Sequence, residues 1–419
     1  MTPQRVPADT FDFGPYLRDG DTLVWGQACA EPLTLTEALV AQRDRFDRLR
    51  CFLGIQFAGT VRPEHADHLR LVSYCGTGAN RALAKAGVLD IYPGHYSTLP
   101  WLVSAGPLRA DVVLVQCAPR DDGRYSLGLA DDYLTAALDS ARVVIAEVND
   151  QVPATAGMRY LTDADIDVLI ETSRPPVELP ALSEDPVTIR LAESVADLIE
   201  DGATLQFGIG AVPESVLRQL KDRRHLGIHS GLLGDAVVDL IECGAVTGTR
   251  KRADHALAIG AMLIGTRRLF EAAHLGNTIE LRPASYTHNL EVLARQTRFT
   301  AINSAIEVDL TGQVNAEVAG GTYVGAVGGA ADFLRAAASS PGGLPIVALP
   351  STAGARSRIV TTLSGPVSTA RSDAGIFVTE YGIADLRGLS LAERADRLID
   401  IAHPDHREHL AKARMEEQL

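Results

Sequence analysis

Aromatic residues make up only 5% of the chain, so no aromatic box singles out a substrate. Cysteine is sparse too: Cys29, Cys51, Cys75, Cys117 and Cys243 are scattered, odd in number and free of any C-x-x-C pair. This excludes a disulfide framework, predicts buried thiols in a reducing compartment, and gives no reason to expect a metal. No apolar run is long enough to span a bilayer, and the opening MTPQRVPADTFDFGPY has no apolar leader segment. The expectation is a cytoplasmic protein that does not engage membranes. Basic residues are outnumbered 39 to 53, for a formal net charge of −14. A nucleic-acid surface is thereby excluded, because phosphate backbones need clustered Lys and Arg. An anionic ligand would have to rely on local N–H groups and single arginines. Ser230 and Ser304 lack a Gly-x-Ser-x-Gly context, so no serine-hydrolase elbow is supported.

What is present is a globular composition, 46% hydrophobic and 22% charged, over 419 residues. That length suits two domains of about 200 residues each. The most informative stretch is LQFGIGAVPESVLRQLKDRRHLGIHSGLLGDAVVDL, residues 205–240. A short apolar run breaks into Gly208-Ile209-Gly210, and a helix is predicted to open with Pro213 at its first position. A second apolar run, Leu226 to Ile228, ends in His229-Ser230-Gly231. Glycines between a strand and a helix let backbone N–H groups approach a ligand beside the positive helix end. Two such corners in an open α/β sheet both lie at the strands' carboxyl ends, where ligands bind.

The same arrangement occurs earlier. Asp19-Gly20-Asp21-Thr22-Leu23-Val24-Trp25-Gly26, followed by Pro32 and TLTEALVAQ, matches Asp201-Gly202-Ala203-Thr204-Leu205-Gln206-Phe207-Gly208, followed by Pro213 and ESVLRQL, at an offset of 182 residues. This predicts a duplicated α/β domain. Asp111 to Gln116 and Ala141 to Val148 read as unbroken apolar strands of a buried parallel sheet. Residues 173–186 carry four prolines and read as a linker, which sets domains at 1–180 and 187–419. The alternation of strand and helix patterns continues to the C-terminus, so the fold class is α/β with two similar open, mainly parallel sheets.

Further candidates follow in the second half. Ala301 to Leu310 reads as one alternating strand with Glu307 and Asp309 on one face. Gly328-Gly329 precedes a helix and can present N–H donors to an oxyanion or phosphate. Glu380 stands at the end of the apolar Val378-Thr379 run. His403 reads as part of a structural turn.

Taken together, these motifs resemble the acetyl-CoA hydrolase/transferase family, which includes 4-hydroxybutyrate, butyrate and acetate CoA-transferases. The resemblance covers nearly the whole chain. It rests on DVVLVQ (111–116), IAEVNDQVP (145–153), the Gly208–Gly210 turn, NSAIEVDLTGQVN (303–315), Gly328 to Phe333, Ser357-Arg358-Ile359-Val360, VTEYGIADL (378–386) and IAHPDHRE (401–408). It implies two α/β domains with the active site in the cleft between them, a homo-oligomer of two or more copies, and a CoA ester as substrate with no tightly bound cofactor. In the implied reaction a glutamate carboxylate attacks the acyl-CoA thioester, giving a mixed anhydride and then a glutamyl-CoA thioester, which a second carboxylic acid resolves.

By the same resemblance Asn289 and Gly329 form the oxyanion pair, and Gly208, Ile209 and Gly210 line the thioester end. Glu380 is the second active-site glutamate, while Gly328, Gly329, Arg356 and Arg358 face CoA. The nucleophile, however, normally follows in a His-Thr-Glu motif, and this chain reads His229-Ser230-Gly231. Three readings follow. In the first, water or another small acceptor attacks the thioester directly, with Glu380 or His229 as base. In the second, Asp235, Glu307 or Glu380 substitutes as the nucleophile of a conventional CoA-transferase. In the third, the protein binds CoA esters without catalysis.

Overall fold

The computed structural model describes residues 2–180 and 184–416. Of the expected linker, residues 181–183 lie outside the described part; the next helix, Pro186–Asp197, opens with Asp185 accepting the Val187 and Thr188 N–H groups. The chain forms two compact units, Met1–Pro180 with Ile259–Thr287, and Ala181–Ala258 with His288–Leu419. Ile259–Thr287 thus belongs to the first unit although it follows the start of the second in sequence. Its Ile279–Leu281 strand pairs with Ala156–Gly157, a tertiary contact that no local pattern announces.

In the first unit the main sheet runs Gln4–Arg5, Val168–Thr172, Val143–Asn149, Val112–Pro119, Thr22–Trp25, Leu49–Leu53, Leu69–Ser73, Leu89–Ile91, with every neighbouring pair parallel. The central strands Val112–Pro119 and Val143–Asn149 are almost wholly buried, as continuous apolar runs require in a sheet covered on both faces.

In the second unit the order is Gly227–Ile228, Thr204–Phe207, Phe299–Asn303, Leu344–Ala348, Ile376–Thr379, all parallel, with Gly382–Asp385 antiparallel at the edge. The duplication is visible in register. Leu23 pairs with Cys51 on one side and Val112 on the other; Leu205 pairs with Ile228 and Thr300. In both units the next strand in sequence goes to one side and later strands go to the other. Thr22–Trp25 and Thr204–Phe207 therefore each lie at a topological switch point, where a crevice opens past the strand ends.

Two local expectations change. The helix after the Gly208–Gly210 turn spans Ala211–Gln219, so Pro213 is its third residue rather than its first. Proline is tolerated there because the first-turn N–H groups have no intrahelical partner to lose. The expected single strand from Ala301 to Leu310 is two, Phe299–Asn303 and Glu307–Asp309, in different sheets. Among the described residues, no helix is long and apolar enough to cross a membrane.

Among the acids buried in the first unit are Glu31, Asp131 and Asp132. Glu31 Oε1 accepts the Phe57 and Ala58 N–H groups at 2.7 and 3.2 Å. Desolvation nevertheless pushes Glu31 and Asp131 up to about 7 and Asp132 up to about 6. The folded state therefore keeps protons that the unfolded chain has released, and stability falls as pH rises from about 4.5 toward 7. Glu31→Gln is expected to flatten that fall, gaining roughly 1–3 kcal/mol at pH 8 relative to pH 5. Urea midpoints at the two pH values read the effect, and parallel wild-type and variant curves would refute it.

Candidate functional site

The switch point of the second unit gathers most of the residues singled out in the sequence. Thr204–Phe207 ends at Gly208, whose N–H donates to Ile302 O at 2.9 Å, and Gly210 caps the next helix with φ of 132°. That backbone angle strains any side chain, so the corner is specific to glycine. Ile209 is exposed between the two glycines. On the neighbouring strand Asn303 exchanges hydrogen bonds with Gln206, at 3.0 and 3.3 Å, which locks the two strand ends together.

The adjacent corner follows Gly227–Ile228. His229 is 0% exposed, with Nδ1 3.9 Å from Asp254 Oδ2. Ser230 is equally buried, and its hydroxyl donates to Phe207 O at 3.2 Å. It clips one strand end to the next rather than facing the crevice. Ser230→Ala is expected to cost about 0.5–1.5 kcal/mol, read as a lower denaturant midpoint; an unchanged midpoint would deny the clip.

Gly231, half-buried, follows the clip. A Cβ there would stand 3.2 Å from both Cε1 and Nε2 of His288 and 3.6 Å from Phe333 Cε2. At Gly329 a Cβ would stand 2.7 Å from His288 Nε2 and 2.8 Å from Cδ2. The imidazole of His288 thus fits between two glycines that come from different corners, and it lies 4.5 Å, centroid to centroid, from the Phe333 ring. His288 is 5% exposed, and desolvation depresses its pKa to about 3, so the ring is neutral. Sequence reasoning passed over His288 in favour of its neighbour. Asn289 is the exposed N-cap of the Leu290–Ala294 helix, its Oδ1 accepting from Glu291 N and Val292 N at 2.9 and 3.3 Å. Its Oδ1 is thereby committed to the helix start, and what Asn289 can offer a substrate oxygen is an N–H donor of its side-chain amide or backbone. Gly328, with φ of 57°, turns the chain so that Gly329 caps the Ala330–Ser339 helix.

Further along the same rim, Glu380 follows Ile376–Thr379. It accepts the Ser351 hydroxyl at 2.6 Å and the Ser351 N–H at 2.9 Å. Arg358 lies close enough for the Glu380 charge to favour its protonated form, against the burial that lowers its pKa. Arg358 Nη1 donates to Ala305 O at 3.4 Å, while its buried Nε has no hydrogen-bond partner among the described residues. A guanidinium with an uncommitted buried donor suits a carboxylate or phosphate oxygen. Arg356, two residues earlier, is exposed.

The other carboxylates are occupied. Glu307 Oε1 accepts from Ser364 N, Ser364 Oγ and Asn315 Nδ2. Asp309 accepts from Thr311 N and Oγ1 and from Gln313 N and Nε2. Asp235 is the first residue of the Asp235–Glu242 helix.

Over residues 12–180 the chain matches the acetyl-CoA hydrolase/transferase N-terminal domain, and over 265–414 the C-terminal domain of the same family. This chain belongs to the acetyl-CoA hydrolase/transferase family. It is 37% identical to the 4-hydroxybutyrate coenzyme A transferase of Clostridium kluyveri over 93% of this chain and 92% of that one. Among solved structures, RipA from Yersinia pestis superposes with a TM-score of 0.92 at 33% identity, covering 99% of this chain and 97% of that one. The 4-hydroxybutyrate CoA-transferase of Porphyromonas gingivalis superposes with a TM-score of 0.84 at 32% identity, covering 99% and 98%. The two α/β units are accordingly those of the CoA-transferase fold, and the family comprises CoA-transferases and acetyl-CoA hydrolases.

Proposed function

We propose that this family member cleaves, or transfers the acyl group of, a CoA thioester without a covalent glutamyl intermediate. The observation that carries the reading is at Gly231. The resemblance sets the nucleophilic glutamate there, and in this chain the space beside it is taken by the His288 imidazole. Around that point the parts needed for thioester chemistry remain. Gly208–Gly210 and Gly328-Gly329 offer backbone at two helix starts, suited to an oxyanion or a phosphate. Arg358 offers a donor to an anionic group of the CoA ester or of an acceptor. The CoA ester enters as substrate, and no resident cofactor is invoked. A homo-oligomer in the cytoplasm belongs to the same reading.

A conventional transferase with a substitute nucleophile is less well supported. Glu307 and Glu380 each accept hydrogen bonds that keep them in place, Asp235 opens the Asp235–Glu242 helix, and near-attack geometry tolerates only small displacements. The test is product analysis with acetyl-, butyryl- and succinyl-CoA, each with and without acetate. Free CoA as the thiol product supports the proposal. New CoA esters that require acetate would restore the conventional transferase, and binding without turnover would leave a CoA-ester binder.

A further inference from the structure

Glu380 is half-buried on the rim of the second unit, and one residue fixes where its carboxylate points. The strands Leu344–Ala348 and Ile376–Thr379 are parallel neighbours with Ala348 opposite Val378, so the residues after them leave the sheet at the same end. Leu349 N–H still donates to Val378 O at 3.1 Å. Two residues later Ser351, 0% exposed, meets Glu380. Its hydroxyl donates to Oε1 at 2.6 Å and its backbone N–H to Oε2 at 2.9 Å. These are the hydrogen bonds to Glu380 among the described residues. A carboxylate held by both oxygens cannot turn about its last bond without giving up a donor, and bonds to a charged acceptor are the strong ones.

The remaining polar group of Ser351 reaches the other charged residue of the rim. Ser351 O accepts the Arg358 N–H at 2.8 Å. Between the two the chain makes a hairpin, Thr352 paired with Ser357 and Ala353 with Arg356, whose tip is exposed. On the far side Val308 N–H donates to Arg358 O at 2.8 Å, which ties the base of the hairpin to the Glu307–Asp309 strand. The Arg358 guanidinium lies within reach of the Glu380 charge. One buried serine thus grips the Glu380 side chain with two groups and the Arg358 backbone with the third.

We propose that Ser351 is a positioning residue of this site: it fixes the Glu380 carboxylate relative to the base of the 352–357 hairpin, so that Glu380 and Arg358 meet the CoA ester in one arrangement. The proposal rests on the reading given above, in which this rim carries out thioester chemistry with Glu380 in the active site. Ser351 is sealed from solvent and acts through Glu380 rather than on substrate. Its role matters because reacting groups tolerate little displacement: about 1 Å of misplacement can cost about 10²-fold in rate.

The test is a double-mutant cycle in the full-length protein: wild type, Ser351→Ala, Glu380→Ala and the two combined, with thermal unfolding of each. CoA thiol release from acetyl-CoA is the first readout. Ser351→Ala removes the hydroxyl and keeps the backbone donor, and kcat/KM is expected to fall roughly 10- to 100-fold. In the Glu380→Ala background the same change should cost less than about twofold, because no carboxylate is left to hold. Should the alanine variant fail to fold, Ser351→Cys keeps the shape of the side chain with a weaker donor, and its loss must likewise vanish without Glu380. A folded Ser351→Ala with wild-type kcat/KM overturns the proposal. Equal losses in both backgrounds do so too, since a serine that served stability alone would cost the same with or without Glu380. A wild type that releases no CoA brings down the hydrolytic reading instead. The same cycle is then read in the Kd for acetyl-CoA by calorimetry, where coupled changes uphold the role of Ser351. Unchanged affinity in both single variants, or additive changes, overturns it.

Discussion

Placing a glutamate at position 231 by itself is expected to yield no CoA adduct on the protein, whereas Gly231→Glu combined with His288→Ala is expected to form one. The asymmetry comes from packing. A Cβ at 231 meets two ring atoms of His288 at 3.2 Å, so the ring must move. It has little room to do so, since Gly329 is already so near that a Cβ there would stand 2.7 Å from Nε2. Overpacking of this kind costs about 1–3 kcal/mol, and a displaced carboxylate loses its attack geometry. Removing the ring opens the volume and should allow glutamyl-CoA to accumulate. Intact-mass measurement after incubation with acetyl-CoA reads the adduct, and transfer of CoA to a second acid reads its competence. An adduct on the single variant, in yield equal to the double, would show that His288 does not govern the site.

The second large effect concerns Arg358. Among the described residues its buried Nε has no hydrogen-bond partner and its Nη1 makes a long bond to Ala305 O; burial lowers its pKa, opposed by the Glu380 charge. If those donors serve an anionic group of the ligand, Arg358→Gln removes hydrogen bonds to a charged partner, each about 1.5–3 kcal/mol. The Kd for the acyl-CoA should rise roughly 10- to 100-fold, with kcat at saturation affected far less. Lysine should rescue poorly, since one ammonium cannot reproduce the guanidinium fork. Calorimetric titration of both variants with CoA reads the result. Unchanged affinity in Arg358→Gln would remove Arg358 from the ligand contacts.

Features set by short-range pattern were legible in the sequence. The repeated Thr-Leu strand with its following glycine, at an offset of 182 residues, marks the switch-point strand of both sheets, and the two copies have matching neighbours in register. The glycines of Gly208–Gly210 and Gly328-Gly329 mark the corners because only backbone chemistry is needed to recognise them. What escaped was decided by tertiary packing. Ile259–Thr287 joins the first unit, and the break at Ser304–Ile306 sends Glu307 and Asp309 to a separate sheet as hydrogen-bonded anchors. Ser230, grouped with His229 and Gly231 at the expected place of the nucleophile, turns out to tie its hydroxyl to Phe207 O. The resemblance points to Asn289 and not to His288; only the fold shows that His288 packs on Gly231 and Gly329 while Asn289 caps a helix.

The central claim is that thioester chemistry proceeds here without a bond between protein and CoA. It is tested most directly by the intact mass of the wild-type protein during steady turnover of acetyl-CoA, with free thiol followed in the same sample. The account predicts continuous release of CoA while the protein mass never changes. A protein species heavier by CoA, formed and consumed at the rate of turnover, would contradict it and send the search for a nucleophile back to Asp235 and Glu380.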